Sequence, residues 1–202
     1  MPLPSVSTAI EWVDPDATDL AGPLLRLLSD ASGSPASGCN AERPFGAAHA
    51  AAKAQLIGPL TMAALGVRLG QQPLTPDSWV QAVAAMQHDM PSLTELWLDE
   101  PVLDAAQMRR GAETLRQTLR ALHTAHPQLI LGVHTCASTP PLDVRGLPLD
   151  VLHLDVHAPG FDATRLLLPP DAEFVPGIVP TLSETTAEQL GPLLQRIAAQ
   201  LP

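Results

Sequence analysis

Short apolar runs alternate along the chain with longer stretches in which apolar residues recur every three or four positions. The short runs are rich in Val, Ile and Leu and are typical of buried strands, whereas the longer stretches have the period of amphipathic helices. Strands are predicted at 8–13, 53–58, 95–100, 129–135, 151–156 and 173–179, and helices at 18–28, 76–90, Ala105–Ala125 and 185–201. Repeated strand–helix units of this kind favour an α/β fold around a parallel sheet.

Two parallel architectures fit this alternation. A TIM-type (β/α)8 barrel needs eight strands, so one would have to lie near the Gly- and Ser-rich loop at 29–44, and an eighth is not evident in the sequence. We therefore expect a small (β/α)8 barrel, with an open or incomplete barrel as the alternative. A length of 202 residues is near the lower limit for this architecture and predicts a single domain over residues 1–202.

Charge, cysteine content and hydropathy limit the partners and the cellular compartment that the sequence predicts. Eleven Lys and Arg residues against 21 Asp and Glu leave no basic stripe, which argues against nucleic acid as a partner. Two cysteines cannot build a disulfide scaffold, so we expect a reducing cytoplasm. The first ten residues lack the features of a signal peptide, and no apolar stretch approaches the roughly 18 residues of a membrane span, so no membrane association is predicted.

Reactive side chains fall where predicted strands end. In barrels and in open parallel sheets, functional groups gather at this carboxyl edge. His134 and Cys136 are two residues apart and so point to the same face of one strand, and Asp155 ends the next strand. An imidazole and a thiolate at this spacing favour zinc, with Asp155 as the natural third ligand. Cys39, in the loop, is a weaker candidate for that place.

Two further strand ends have a structural interpretation as well as a functional one. Asp99 and Glu100 precede a proline, so they could serve a site or cap a helix. Gly58, also before a proline, either lets the backbone approach a ligand or makes an ordinary turn. The His-x-Cys pair is itself a weak motif, because a cysteine at a strand end is often only a small buried apolar residue.

Four segments, taken in order, resemble the superfamily that contains cobalamin-independent methionine synthase, uroporphyrinogen decarboxylase and the corrinoid:coenzyme M methyltransferases. They are KAQLIGPLTMA (53–63), LWLDEPVL (96–103), GVHTCAS (132–138) and LDVLHLDV (149–156). A fifth, GIVPT (177–181), is similar to a turn in short bacterial proteins of this group, and the likeness extends over about residues 5–200. The resemblance implies a (β/α)8 barrel whose methyltransferase members bind zinc.

The resemblance also implies a reaction and a ligand set. In the family, zinc binds the acceptor thiol and lowers its pKa, and the thiolate attacks a methyl group on a folate or a corrinoid. His134 and Cys136 match the zinc ligands, Asp155 matches a ligating glutamate, and Asp99 matches a carboxylate that faces the substrate amine.

Three other residues complete the candidate site. Glu100, beside Asp99, is taken with it as catalytic. Gly58 and Thr61 lie in the segment similar to the family's Gly-Pro-x-Thr stretch and are the candidates for cofactor binding.

The chain also departs from the family. Its methyltransferases supply a last cysteine ligand from an eighth strand, whereas this sequence ends at Pro202, after the helix that matches the seventh of the family's barrel. A folate site needs extra structure, so a corrinoid donor, carried by a corrinoid protein, is favoured. We expect zinc-dependent transfer of a methyl group to a small-molecule thiol.

Two alternatives remain open. The first is a degenerate, non-catalytic barrel that acts as a binding or interaction protein, with a homodimer or another partner covering its strand edges. The second, decarboxylation of a tetrapyrrole, ranks last. Such a substrate needs arginines at strand ends, and the arginines here lie mostly on predicted helices.

Overall fold

The computed structural model describes residues 52–69, 71–101, 105–135, 142–157, 161–177 and 187–199. In chain order the elements are β1 (Ala52–Ile57), α1 (Pro59–Ala64), β2 (Arg68–Leu69), β3 (Gln72–Pro73), α2 (Pro76–Asp89), β4 (Leu93–Asp99), α3 (Ala105–Ala125), β5 (Ile130–Thr135), β6 (Leu142–Asp143), β7 (Val151–Asp155), a 3-10 turn (Ala163–Arg165), β8 (Leu166–Leu167), β9 (Glu173–Gly177) and α4 (Ala187–Ala198).

A five-stranded sheet with the order β1-β4-β5-β7-β9 organises the described residues. Every pairing in it is parallel, and neighbouring strands follow the order of the chain. Helices α1 and α2 lie between β1 and β4, and α3 lies between β4 and β5; the apolar pattern predicted α2 and α3 at these places. The chain is therefore an α/β protein built on an all-parallel sheet, which confirms the predicted class.

Local sequence features account for the start of α2 and for the buried face of α3. α2 begins at Pro76, whose fixed φ suits the first helical position, and the Ser78 hydroxyl accepts the backbone N–H of Thr75 at 3.1 Å. α3 has the bounds that its period predicted, and its fully buried leucines follow one stripe, at Leu115, Leu119 and Leu122.

One face of the sheet packs against the helices and is here called the helix-covered face. From the strands, the main core includes Ala54, Leu56, Leu96, Leu98, Leu131, Val133, Leu152 and Leu154. From the helices, it includes Leu60, Met62, Trp79, Val83, Leu115, Leu119 and Leu122. The nearly continuous apolar character of this face supplies the hydrophobic driving force for the fold.

Residues of opposite parity form the second face, here called the polar face. Because side chains alternate along each strand, Lys53, Glu95, Asp99, His134 and His153 all belong to it. Their row ends at the carboxyl edge of the sheet, where the sequence predicted the functional residues.

Several predictions lie outside the described residues: the strand at 8–13, the helix at 18–28, the loop at 29–44, and both cysteines, Cys39 and Cys136. The other predicted strands agree with the observed ones to within two residues where they are described. The short pairs β2–β3 and β6–β8 were not predicted. None of the described helices combines the length and apolar character that a membrane span requires.

Candidate functional site

Three polar side chains stand side by side at the carboxyl edge. Asp99 of β4 is the register partner of His134 of β5, and His134 is the register partner of His153 of β7. Side chains on register partners of parallel strands share one face, so the three form a continuous row across the sheet. The sequence placed Asp99 and His134 at strand ends, and the structure brings them into contact.

Asp99 and His134 make the closest contact in this row. Asp99 Oδ1 lies 2.9 Å from His134 Nδ1, and each side chain keeps 22% of its surface exposed. The two atoms are buried and are not aligned as a hydrogen bond, and neither has another hydrogen-bond partner within the described residues. The contact is therefore a close carboxylate–imidazole approach that leaves His134 Nε2 as the nitrogen turned away from Asp99.

His153 lies on the other side of His134. The centres of the two imidazole rings are 4.6 Å apart, and the ring planes are tilted by 46°. Burial lowers the pKa of His153 to about 4, helped by the positive charges that His134 and Lys53 can carry and opposed by two nearby carboxylates. Near neutral pH the ring is therefore uncharged, with one nitrogen able to donate and the other able to accept a hydrogen bond.

Trp97 forms the floor beneath this row. Its indole lies against Gly132 on the neighbouring strand, where an added Cβ would come within 2.8 Å of the ring, and only 4% of the residue is exposed. The edge of the indole meets His153 at a ring distance of 5.5 Å, and its Nε1–H donates to Glu95. The Trp97 indole therefore lies on the polar face between the histidine row and the residues nearer the start of the strands.

Lys53 covers the outer side of the same indole, with its ammonium 3.4 Å from the ring centre. Although the residue as a whole is exposed, this position partly desolvates the ammonium and lowers its pKa, an effect that the carboxylate of Glu95 partly offsets. Lys53 therefore brings a positive charge to the lower part of the polar face, below the histidines.

Glu100 lies on the opposite side of the sheet from Asp99 and is fully buried. Its Oε1 accepts the backbone N–H of Leu60 at 2.8 Å, and its Oε2 accepts both the backbone N–H and the hydroxyl of Thr61 at 2.7 Å. A Cβ on Gly58 would overlap this carboxylate. We call these residues, Gly58, Leu60, Thr61 and Glu100, the Glu100 clamp.

The clamp ties the start of α1 to the end of β4. Burial raises the pKa of Glu100 to about 7, although the three hydrogen bonds favour the carboxylate and oppose that rise. The backbone N–H of Glu100 also donates to the carbonyl of His134 at 2.7 Å. The clamp therefore fixes the backbone on which Asp99 and His134 stand, and three predicted site residues, Gly58, Thr61 and Glu100, belong to it.

Asp155 ends β7 one pleat beyond His153. Its Oδ1 accepts the backbone N–H of His157 at 2.8 Å, and its register partner on β9 is Gly177. Cys136 lies outside the described residues. Within the described ranges, no group of three or more His, Cys, Asp or Glu side chains is close enough to hold a metal ion.

His153, Trp97 and Lys53 were not predicted as site residues. The alternation of the sequence put each on the same face as a predicted residue, which was the available signal. Their contacts depend on the register between strands far apart in the chain, and single-strand patterns do not give that register.

The comparisons with known proteins add no identification. No protein-family model matches the chain. No curated protein matches it either.

Proposed function

We propose that this chain is a zinc-dependent methyltransferase-like protein that transfers a methyl group to a small-molecule thiol at the carboxyl edge of its sheet. The observation that carries the proposal is the approach of Asp99 Oδ1 to His134 Nδ1, 2.9 Å apart at that edge. Histidines that bind metals commonly turn their second ring nitrogen to a carboxylate, which fixes the ring and leaves the other nitrogen for the ion.

The proposed architecture is a small (β/α)8-type barrel. Two features of the described residues support it: the strands follow one another in chain order, and the main core lies between one face of the sheet and the helices. In a barrel, that face would look outward and the polar face would line the interior. A doubly wound sheet, by contrast, reverses its strand order at a switch point.

His134, Cys136 and Asp155 are the proposed zinc ligands. Asp99 orients His134, a role that its 2.9 Å contact favours over direct contact with a substrate amine. Zinc held by these residues would supply a Lewis acid that lowers the pKa of a bound thiol.

The residues present suit that ion in two respects. His134 Nδ1 faces Asp99 Oδ1 at 2.9 Å, which leaves Nε2 as the ring nitrogen available to an ion. Nitrogen, sulfur and oxygen donors together also match the preference of zinc. The described residues alone do not complete a site, so the proposal depends on Cys136.

The Glu100 clamp has a positioning role in this proposal. Both oxygens of Glu100 are occupied by donors from Leu60 and Thr61, which leaves the side chain unable to reach a substrate. Its backbone bond to His134 holds β4 and β5 together at the edge where Asp99 and His134 meet.

The proposed methyl donor is a corrinoid, delivered by a corrinoid protein. The acceptor is a small thiol whose sulfur reaches the edge between β5 and β7.

Methyl transfer from free methylcobalamin to a panel of small thiols tests the proposal. The expected result is loss of the methylcobalamin absorbance that requires zinc and is abolished in His134→Ala, while His88→Gln, at an exposed position on α2, retains activity. A zinc-loaded protein that transfers no methyl group to any thiol would contradict the proposal and favour the degenerate, non-catalytic barrel.

A further inference from the structure

Lys53 is the only lysine among the 202 residues of this chain, whereas ten positions hold arginine. Neither the sequence motifs nor the proposed function gives it a role. The two basic side chains differ in their chemistry, because a desolvated lysine can lose its proton and become a nucleophile, and arginine cannot. A single lysine in a chain that otherwise places arginine at its positive positions is therefore a candidate for a role that arginine cannot fill.

The amine of Lys53 lies over the Trp97 indole, 3.4 Å from the ring centre. Arginine stacks on aromatic rings at least as readily as lysine, so attraction to the ring does not by itself call for a lysine here. The ring also replaces water on one side of the amine. This partial burial lowers the pKa of Lys53, so more of the amine is uncharged near neutral pH than in a fully solvated lysine.

Glu95 is the second neighbour of the amine. It is the register partner of Lys53 on β4, and its negative charge partly offsets the lowering of the Lys53 pKa. The same carboxylate accepts the Nε1–H of Trp97, which holds it beside the ring. A carboxylate in this place can take the proton that leaves the nitrogen when the nitrogen forms a bond to carbon.

The surroundings of the amine also indicate what could react with it. Lys53 is exposed among the described residues, so a small molecule can reach it. Its charged neighbour Glu95 is a carboxylate, which disfavours an anionic ligand. The Trp97 indole and Ile130, the register partner of Glu95 on β5 and 46% exposed, add apolar surface on the same face. These features suit an uncharged, partly apolar ligand.

We propose that Lys53 forms an imine with a small uncharged aldehyde on the polar face of the sheet. The amine lone pair forms the C–N bond as the carbonyl π pair moves to oxygen, and Glu95 carries one proton from nitrogen to that oxygen, giving a carbinolamine. The hydroxyl group then leaves as water with one proton from solvent, and the nitrogen lone pair completes the C=N bond of a protonated imine.

The protonated imine suits the same neighbours as the ammonium. It is a cation, so it keeps its attraction to the Trp97 ring and to the Glu95 carboxylate. The reaction needs no metal ion and does not depend on the proposed methyl transfer, so either proposal can fail without the other.

Reductive trapping tests the proposal. The full chain is incubated near pH 7 with hexanal and cyanoborohydride, in the presence of a chelator that removes metal ions, and alkylation of Lys53 is followed by peptide mass spectrometry. We expect Lys53 to react at least about tenfold faster than Nα-acetyl-lysine amide under the same conditions. A rate equal to that of this model amine would overturn the proposal.

Two controls connect the rate to the folded site. Lys53→Arg keeps the positive charge and the stacking on Trp97, and it should confine labelling to the N-terminal amine. In concentrated urea, Lys53 of the wild-type protein should react at the rate of the model amine, because its activation requires the fold. An equally fast reaction in the unfolded chain would overturn the proposal.

Glyoxylate, an anionic aldehyde, tests the class of ligand. Relative to the model amine, Lys53 in the folded protein should gain more in its rate with hexanal than with glyoxylate, because Glu95 repels the anion. An equal or larger gain with glyoxylate would overturn the assignment of an uncharged aldehyde.

Discussion

Two adjacent carboxylates at the end of β4 have opposite environments. Asp99 keeps 22% of its side chain exposed on the polar face, whereas Glu100 is fully buried on the other side of the sheet. Successive residues of a strand point to opposite faces, so the sequence alone separates the two. It does not reveal that Glu100 binds Leu60 and Thr61, about 40 residues earlier, because that contact depends on β1 lying beside β4.

Replacing Glu100 with Gln should destabilise the protein. The amide nitrogen of Gln would face a backbone or hydroxyl donor of the clamp, and a buried donor left unpaired costs about 1–3 kcal/mol. Urea denaturation at pH 5 would measure the loss in the free energy of unfolding. An unchanged midpoint would mean that the clamp contributes little to stability.

The destabilisation by Glu100→Gln should also depend on pH. In the folded protein the pKa of Glu100 rises from its ordinary value of 4.5 to about 7, so the protonated form is favoured by folding. Protonated Glu100 therefore contributes to the free energy of unfolding. This contribution is present in full below pH 4.5 and is lost as the pH rises through about 7, a difference of roughly 3 kcal/mol.

The gap in stability between wild type and Glu100→Gln should therefore narrow between pH 5 and pH 8. His153, whose pKa is lowered, gives the opposite trend, since folding favours its neutral form and stability rises between about pH 4 and pH 6.5. That trend is shared by both proteins and cancels in the comparison. A gap that stays constant across this range would contradict the raised pKa of Glu100.

Gly58→Ala tests the steric side of the clamp. An added Cβ would overlap the Glu100 carboxylate, so the clamp must shift, at a cost of about 1–3 kcal/mol or more in the free energy of unfolding. Gly191→Ala is the matched control, because nothing lies within 4 Å of an added Cβ there and α4 should gain up to about 1 kcal/mol from the change. Equal effects of the two substitutions would show that Gly58 is not constrained by Glu100.

At the scale of elements, the sequence predicted the long members of the fold well. β5, β7 and α3 have apolar runs or leucine stripes long enough to define a period, and their observed bounds follow the predicted ones. The pairs β2–β3 and β6–β8 have only two residues in each strand, too few for any alternation. Their existence depends on tertiary contacts that a local pattern does not contain.

The packing of β4 on β5 gives a prediction at this scale. Gly132→Ala would push a Cβ to 2.8 Å from Trp97, displacing the indole from the floor of the site, and should cost about 1–3 kcal/mol of stability. The tryptophan emission should shift to longer wavelength as the ring gains contact with water. Denaturation followed by this emission measures both effects.

A double-variant cycle provides the control for Gly132. Trp97→Leu removes the ring that the new methyl group would meet, so adding Gly132→Ala to it should cost less than adding Gly132→Ala to the wild type. Strictly additive losses would show that the two residues do not contact each other as described.

At the scale of the whole molecule, the order of the strands creates the site. Asp99, His134 and His153 come from three strands spread over more than 50 residues, and they meet because β4, β5 and β7 are neighbours in register. The sequence could place each residue at a strand end, but it could not supply the distances between them. His153 was missed as a candidate for this reason, because what distinguishes it is its contact with His134 and Trp97, and the sequence does not show these contacts.

Zinc bound at His134, as proposed, should stabilise the whole fold. At a free zinc concentration about 100-fold above the dissociation constant, binding adds about 2.7 kcal/mol, which raises Tm by roughly 5–10 °C for a chain of this size. Differential scanning calorimetry with and without zinc measures the shift. His134→Ala should abolish it, and the exposed substitution His88→Gln should retain it.

The most direct test of the central claim, that His134 stands in a metal site, is the metal content of the full chain purified without added metal. Elemental analysis should find one zinc ion per chain in the wild-type protein and a strong loss in His134→Ala and in Cys136→Ser. Substoichiometric zinc in the wild type that does not change in Cys136→Ser would contradict the claim.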